Sequence, residues 1–249
     1  MQENQLDILL QKAEELKARI DKHRPIRSQM LNEIKEYFRI GFTYTTNALE
    51  GNTLSESETK VIIEDGITVG GKSIREHQEA TGHSNAYSFM YSLIKNQKIS
   101  EKDIKELHRI FFKEINPDQA GSYRDKKVFI SGSKYLLPPP GKVTELMSEL
   151  PSELTKIKTA DHPIIAAAKA HIQFVFIHPF VDGNGRVARL LMNLILTQLG
   201  YCICIIPPVS RLEYIEALEE AHTDPRRFYI HIAEMVLNTQ KDYLRYLES

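Results

Sequence analysis

Residues 163–177 place the strongest constraint on the fold, because this segment is apolar nearly all the way round. It reads PIIAAAKAHIQFVFI. A helix that is apolar on every side must be buried on every side, so the rest of the chain has to pack around it. Gly and Pro are scarce, at 12 and 11 of 249 residues, which favours long helices over many short strands. We therefore predict an all-α fold around a central buried helix.

Helical patterns also occur on both sides of this segment. Apolar residues recur at helical spacing over residues 5–22 and again from Ile26 to Leu49, and Gly51 ends the second pattern. Four pairs have capping-box spacing and predict helix starts, the last of them weakly: Ser55 with Glu58, Ser73 with Glu76, Ser210 with Glu213, and Ser100 with Asp103. We divide the chain into an N-terminal helix (1–25), a second helical segment (26–60) and a main unit (61–249).

One stretch, residues 128–137, departs from the helical pattern. Two apolar triplets, 128–130 and 135–137, flank a polar turn that begins Ser131-Gly132, which is typical of a β-hairpin. The three prolines at 138–140 would end the pairing. An isolated hairpin is marginally stable, so it must lean on the helices. The predicted fold is therefore a helical bundle with one small β-hairpin flap.

Charge and cysteine content exclude several classes of function. The formal net charge is -1, which gives no overall basic surface for nucleic acid or anionic membranes. Cys202 and Cys204 lie in an apolar run, too few for a disulfide framework and without the spacing of a zinc site. The N-terminus has no signal-peptide pattern, and no apolar run approaches the ~20 residues of a membrane span. We expect a cytoplasmic protein that binds neither nucleic acid nor membrane.

The run that carries chemistry follows the buried helix directly and reads HPFVDGNGRVAR, residues 178–189. Gly183 and Gly185 favour turns and let backbone N–H groups converge at the start of the next helix, where anions are favoured. Arg186 and Arg189 are three residues apart and can reach the same side. These features predict a polyphosphate cradle, and it is not a Walker A loop because no Gly-Lys-Ser/Thr follows.

Two further side chains in this run suggest a reaction. Asp182 offers a carboxylate suited to hold Mg²⁺ against phosphate oxygens. His178, at the end of the preceding helix, can accept a proton from a hydroxyl. A base, a metal-binding carboxylate and an anion cradle together fit phosphoryl or nucleotidyl transfer.

The run resembles the Fic family signature HPFx(D/E)GNGRxxR at every defined position. GSYR at 121–124, the V-x-I-x-G pattern at 128–132 and PPP at 138–140 are also similar to the family, and the resemblance covers roughly residues 30–240. It implies a Fic-type helical bundle with its catalytic core in residues 61–249. It also implies transfer of AMP from ATP to a Ser, Thr or Tyr hydroxyl of a target protein, with release of pyrophosphate.

The resemblance implies a role for each residue of the run. His178 would be the general base, and Asp182 would coordinate Mg²⁺. The remaining residues would bind the phosphates: Gly183, Asn184, Gly185, Arg186 and Arg189. The predicted hairpin would hold the target segment by strand addition, through the residues Val128, Phe129, Ile130, Ser131 and Gly132.

A second resemblance lies upstream, where TNALEG at residues 46–51 is similar to the inhibitory motif (S/T)xxxE(G/N) of Fic proteins. By physics alone, Glu50 is a solvated residue at a helix C-terminus, where the helix dipole disfavours negative charge. The resemblance implies instead that Glu50, in a motif that begins at Thr46, pairs with Arg189 and occupies the space of the γ-phosphate. Residues 26–60 would then be an inhibitory segment.

Other interpretations stay open beside an autoinhibited adenylyltransferase. The same pocket would serve a de-AMPylating hydrolase, with Glu50 positioning a water. A non-enzymatic nucleotide-binding regulatory protein has no need of the intact His178, and a DNA-binding regulator conflicts with the near-zero net charge. Self-modification and a homodimer also stay open. His222 lies where the family encloses the adenine, and we assign it no role.

Overall fold

The computed structural model describes residues 2–96 and 98–248 of the chain. Within those ranges it has ten α-helices, one short 3₁₀ turn (Pro208–Ser210) and no strand. The helices are α1 Gln2–Asp21, α2 Ser28–Leu49, α3 Glu56–Asp65, α4 Ile74–Ser92, α5 Glu101–Phe112, α6 Pro140–Ala160, α7 Pro163–Ile177, α8 Asn184–Gln198, α9 Arg211–Glu220 and α10 Arg226–Glu248. The prediction of an all-α fold is confirmed.

The predicted central helix is α7, and it is buried as its composition requires. It packs against α6, α8 and α10. Ala166, Ala167 and Ala170 are fully buried, and such small side chains let neighbouring helices approach closely. Helix α8 is also buried on nearly every side. The connection between these two buried helices, residues 178–183, is therefore held by the core of the protein.

Three of the four predicted capping boxes are confirmed, and one is wrong. Ser55, Ser73 and Ser100 each accept a hydrogen bond from the third residue of the following helix, whose carboxylate bonds back to the serine N–H. Ser210 makes no such bond, because it ends a 3₁₀ turn with φ −93° and ψ 10°. A capping serine needs an extended backbone, and the Ser210 hydroxyl donates to the Pro207 carbonyl instead.

The predicted β-hairpin at residues 128–137 is wrong. A single main-chain hydrogen bond closes its turn, from the Ser133 N–H to the Ile130 carbonyl. Side chains order the segment instead of a ladder. The Arg124 guanidinium donates to the carbonyls of Lys126 at 3.2 Å and Pro138 at 2.6 Å, and so bridges the two ends. Because two short strands gain little stability from pairing only with each other, these bonds decide the conformation.

The N-terminal helix joins the same core as the rest of the chain. Helix α1 packs along α10, and the Gln240 side chain donates to the Ala13 carbonyl at 3.0 Å. One hydrophobic cluster contains Ala13, Phe42 and Phe174, so residues from all three predicted segments share it. In the part of the chain that the structure describes, no helix is both long and apolar enough to cross a bilayer.

Candidate active site

The loop between α7 and α8 begins with a strained residue. His178 has φ 50° and ψ 59°, the left-handed conformation, and is the one non-glycine residue with positive φ in the described ranges. Its backbone is fixed on both sides: the His178 N–H bonds to the Phe174 carbonyl, and the Arg124 Nε donates to the His178 carbonyl at 2.7 Å. Such strain persists only where the surroundings determine it.

The His178 imidazole is prepared to accept a proton. Its Nδ1 lies 3.3 Å from the Val175 carbonyl, which can only accept, so Nδ1 carries the hydrogen in this bond. Nε2 is then the ring nitrogen with a free lone pair. Burial lowers the pKa of His178 to about 4. The ring is therefore neutral at neutral pH, as a general base must be before it acts.

Asn184 and Phe180 fix the shape of the loop. The Asn184 carboxamide accepts from the Phe180 N–H at 2.9 Å and donates to the Phe180 carbonyl at 2.8 Å. The Phe180 ring is fully buried and stacks on His108, with 3.7 Å between ring centroids. Because both polar atoms of the Asn184 side chain are used within the loop, any contact of Asn184 with an anion would come from its main-chain N–H.

The structure brings the residues of the predicted anion cradle together, and a carboxylate of the same chain lies among them. The cradle consists of the main chain of residues 183–185 at the N-terminus of α8 together with Arg186 and Arg189. A Cβ added to Gly185 would collide with the Glu50 carboxylate and lie 3.2 Å from an Arg189 nitrogen. Glu50 therefore lies directly above Gly185, where free N–H groups and the helix dipole favour an anion.

The structure brings Glu50, Thr46 and Arg189 together, as the family resemblance implied. The buried Arg189 guanidinium contacts the Glu50 carboxylate at 2.7 Å and donates to the Thr46 hydroxyl at 2.5 Å. It also donates to the Tyr214 hydroxyl at 3.3 Å. Burial alone would raise the pKa of Glu50, but Arg189 and Arg186 outweigh it and lower that pKa. Glu50 is therefore an anion in this pair.

Arg186 belongs to a ring of four charges, which we call the charge ring: Arg75, Glu79, Asp182 and Arg186. Arg186 lies 3.0 Å from Glu79 and 3.4 Å from Asp182. Arg75 closes the ring, at 2.5 Å from Asp182 and 3.2 Å from Glu79. Burial would raise the pKa of Asp182, but Arg186, the Gly183 N–H and Arg75 lower it. No pattern in the sequence marks Arg75 or Glu79 as a site residue.

Asp182 fits a Mg²⁺ ion that arrives with phosphates. Over residues 2–96 and 98–248, no three His, Cys, Asp or Glu side chains are grouped closely enough to hold a metal ion by themselves. Mg²⁺ commonly uses one or two carboxylates and completes its shell with phosphate oxygens and water. The Asp182 side chain is 41% exposed, and its partner Arg75 is also partly exposed, so the carboxylate is accessible.

Glu50 separates two cavities. The first has a volume of about 240 Å³, and His178, Gly185 and Arg189 line it together with mainly apolar walls that include Leu218. The second is polar, about 300 Å³, and the charge ring lines it. Glu50 lines both cavities, so its carboxylate stands between the predicted base and the predicted metal ligand.

The flap and His222 also line the first cavity. Ile130 and Ser131 line it, and the Phe129 side chain is 78% exposed to solvent. The His222 ring stacks between Tyr135, at 3.8 Å, and Phe176, at 3.6 Å. This three-ring stack connects the flap to the buried helix α7, which gives His222 a structural position beside the apolar walls.

Comparisons with known proteins identify the family that this chain resembles in sequence and in fold. The sequence model of the Fic/DOC family matches residues 98–196. Protein adenylyltransferase Fic of Drosophila ananassae is 37% identical over 220 residues, which cover 87% of this chain and 44% of the relative. The protein of the same name from Nematostella vectensis is 40% identical over 220 residues, 86% of this chain and 51% of the relative. The chain thus spans about half the length of the curated relatives it matches.

Solved structures show the same arrangement of helices. A fragment of Fic-1 from C. elegans superimposes with a TM-score of 0.88 at 32% identity, covering 98% of this chain and 73% of the fragment. A Fic domain containing signaling protein from Bacteroides thetaiotaomicron gives a TM-score of 0.86 at 23% identity, with 95% and 98% of the two chains covered. The second similarity shows the fold alone.

Proposed function

The chain belongs to the Fic/DOC family, and from that premise we propose that it is an autoinhibited protein adenylyltransferase. It transfers AMP from ATP to a Ser, Thr or Tyr hydroxyl of a target protein, or of the chain itself, and releases pyrophosphate. The observation that carries the proposal is that a neutral His178 and the anion cradle border one cavity. Base and phosphate site are thus within reach of one bound nucleotide.

Each group at the site has a task in this reaction. His178 accepts the hydroxyl proton on Nε2 as the hydroxyl oxygen bonds to the α-phosphorus and the bond to pyrophosphate breaks. The main-chain N–H groups of Asn184 and Gly185, together with Arg186 and Arg189, hold the phosphates and stabilise the charge that develops on them. A bound Mg²⁺, held by Asp182, would neutralise phosphate charge. The apolar walls of the first cavity take the adenine.

The position of Glu50 supports the autoinhibition that we propose. Its carboxylate occupies the cradle and engages Arg189, so two anions compete for one site. While Glu50 is in place, ATP loses a phosphate contact and does not seat its α-phosphate in line with the hydroxyl. The side chain remains 35% accessible from the cavities. The off-state is therefore a population that leaves some basal activity.

Labelling with α-labelled ATP and Mg²⁺ in host lysate tests the proposal. Glu50→Gly removes the competing carboxylate and should raise protein labelling at least about tenfold, equivalent to about 1.4 kcal/mol. The matched control is Glu50→Gly combined with His178→Ala, which should bind ATP but label nothing. If Glu50→Gly labels no more protein than the wild type with ATP saturating, autoinhibition is wrong.

Hydrolytic removal of AMP is a second candidate, favoured by one observation. The Glu50 carboxylate and the His178 ring border the same cavity, so a water between them could be positioned by the first and deprotonated by the second. A target labelled beforehand by the Glu50→Gly variant distinguishes the two activities. Release of AMP by the wild type, but not by Glu50→Gly, would show that removal takes place at this site.

A further inference from the structure

Residues 125–137, which we call the flap segment because they contain the flap at 128–137 and the three residues before it, carry positive charge that the rest of the chain does not neutralise. Lys126, Lys127 and Lys134 are exposed, and none of them forms an ion pair with another described residue. Asp125 is the one acidic residue in the segment. The whole chain has a formal net charge of -1, so this excess of cations is local.

The acidic helix α9 beside the flap is already engaged. Glu216 and Glu220 both pair with Arg227, at 2.8 Å and 3.3 Å. Glu219 accepts the main-chain N–H of Lys134 at 2.7 Å, and not its ammonium group. These three carboxylates of α9 therefore leave the flap lysines available to a partner.

The main chain beside these lysines is open. Residues 127–130 lie outside any helix or turn, and residues 127–129 make no main-chain hydrogen bond within the described part of the protein. The Arg124 bonds fix the segment at both ends without using these groups. An unpaired stretch of backbone is a template for strand addition by another chain.

The open stretch begins beside the predicted base. Arg124 donates from Nε to the His178 carbonyl at 2.7 Å and from its main-chain N–H to the Pro179 carbonyl at 2.9 Å. Lys126 and Lys127 follow Arg124 by two and three residues, so their Cα atoms lie at most about 7 and 11 Å from the Arg124 Cα atom. A target segment paired with this stretch, with its hydroxyl at His178, would place residues a few positions from the hydroxyl beside the two lysines.

We propose that the flap segment selects acidic target segments, and that Lys126 and Lys127 read an Asp or Glu within a few residues of the modified hydroxyl. Opposite charges across paired strands attract and like charges repel. Complementary charge also accelerates encounter. The exposed Phe129 adds an apolar contact. The inference rests on the proposed adenylyltransferase activity, because that activity defines the target.

Two sets of synthetic peptides test this preference on the full chain carrying Glu50→Gly. Each peptide has one Thr, flanked either by Asp and Glu or by Lys and Arg. Binding is followed by fluorescence anisotropy and transfer by label from α-labelled ATP. The test variant adds Lys126→Glu and Lys127→Glu. The matched control adds Lys22→Glu and Lys95→Glu, at exposed lysines that lie outside the cavity lining.

We expect a preference of about tenfold for acidic peptides, and added salt should weaken this preference. The control variant should keep the preference, and the test variant should reverse it. Equal binding of both peptide sets, or a preference that survives the Lys126 and Lys127 changes, overturns the inference. Charge-selective binding without any label transfer would support the flap as a docking site and contradict the adenylyltransferase proposal. Label transfer without charge-selective binding would support the adenylyltransferase proposal and contradict the charge preference of the flap segment.

Discussion

At the scale of single residues, substitution of the proposed base gives the clearest test of the mechanism. His178→Ala should lower AMP transfer by about 10²–10⁴-fold and leave ATP affinity unchanged, because His178 lies beside the phosphate cradle and not in it. The left-handed backbone at position 178 makes Asn a better-tolerated replacement than Ala. His178→Asn therefore serves as the matched control for folding. Transfer at the wild-type rate in both variants would remove His178 from the mechanism.

Arg75 should set the metal requirement, because it occupies the carboxylate that would receive Mg²⁺. Arg75→Ala removes the closer of the two arginines that pair with Asp182 and should lower, about threefold to tenfold, the Mg²⁺ concentration at which ATP binding is half complete. Calorimetric titration of ATP at fixed Mg²⁺ concentrations measures this midpoint without catalysis. Arg75→Lys should restore it in part. Arg109→Ala, which removes an exposed pair with Glu106, is the control. Equal midpoints for Arg75→Ala and the wild type would contradict a competition between Arg75 and Mg²⁺ for Asp182.

The residues of the site were predictable to the extent that their signals are local. The cradle of residues 183–189 could be identified because turn glycines, a helix start and two arginines are adjacent in sequence. The pair of Glu50 and Arg189, 139 residues apart, came only from the family resemblance. Arg75 and Asp182 are 107 residues apart, and a surface arginine in a helix has no pattern that names its partner. Only the folded chain reveals the charge ring.

At the scale of elements, the C-terminus of α2 is held by a contact that can be weakened separately from Glu50. Arg211 Nε donates to the Leu49 carbonyl at 2.7 Å, a favourable cation at a helix C-terminus. Arg211→Met should loosen the last turn and raise basal protein labelling severalfold, less than Glu50→Gly does. Arg211→Lys keeps the cation and should stay close to the wild type. A decrease in labelling together with weaker ATP binding would show that Arg211 serves the nucleotide instead.

The two wrong predictions, the β-hairpin and the cap at Ser210, have the same physical cause. The flap has the apolar and turn residues of a hairpin, but Arg124 takes the carbonyls at both of its ends. Ser210 has the spacing of a cap, but Pro207 and Pro208 impose a 3₁₀ turn before it. Long amphipathic helices were predictable because many residues repeat one signal. Short irregular segments depend on a few bonds to distant side chains, which no local pattern contains.

At the scale of the whole molecule, one core joins α2 to the two helices that flank the candidate active-site loop. Helix α2, which ends beside Glu50, contributes Phe38 and Phe42 to the cluster that also contains Phe174 of α7 and Leu190 of α8. Packing at native density transmits small shifts instead of absorbing them. The division into segments 1–25, 26–60 and 61–249 stays a prediction about chain organisation.

The buried histidines predict how the stability of this core depends on pH. Burial lowers the pKa of His108 to about 4 and that of His171 to about 3, whereas an unfolded chain has a histidine pKa of about 6.5. Below pH 6.5 the unfolded chain therefore binds protons that the native protein does not. The stability that the neutral, buried histidines contribute is therefore fully present above pH 6.5 and is lost progressively as the pH falls toward 4.

His108 should account for a measurable part of this loss, because both of its ring nitrogens are used in the neutral form. Nδ1 accepts from the Gly121 N–H at 2.9 Å, so Nε2 donates to the Asp182 carbonyl at 3.1 Å, and protonation of Nδ1 breaks the first bond. Urea unfolding at pH 7 and pH 5 should show a lower midpoint at pH 5. Each pKa unit is worth about 1.4 kcal/mol, so His108→Gln should reduce the difference in the free energy of unfolding between pH 7 and pH 5 by about 1–2 kcal/mol. His23→Gln, at an exposed position, should leave that difference unchanged. A midpoint independent of pH over this range would show that the histidines are not buried as the structure places them.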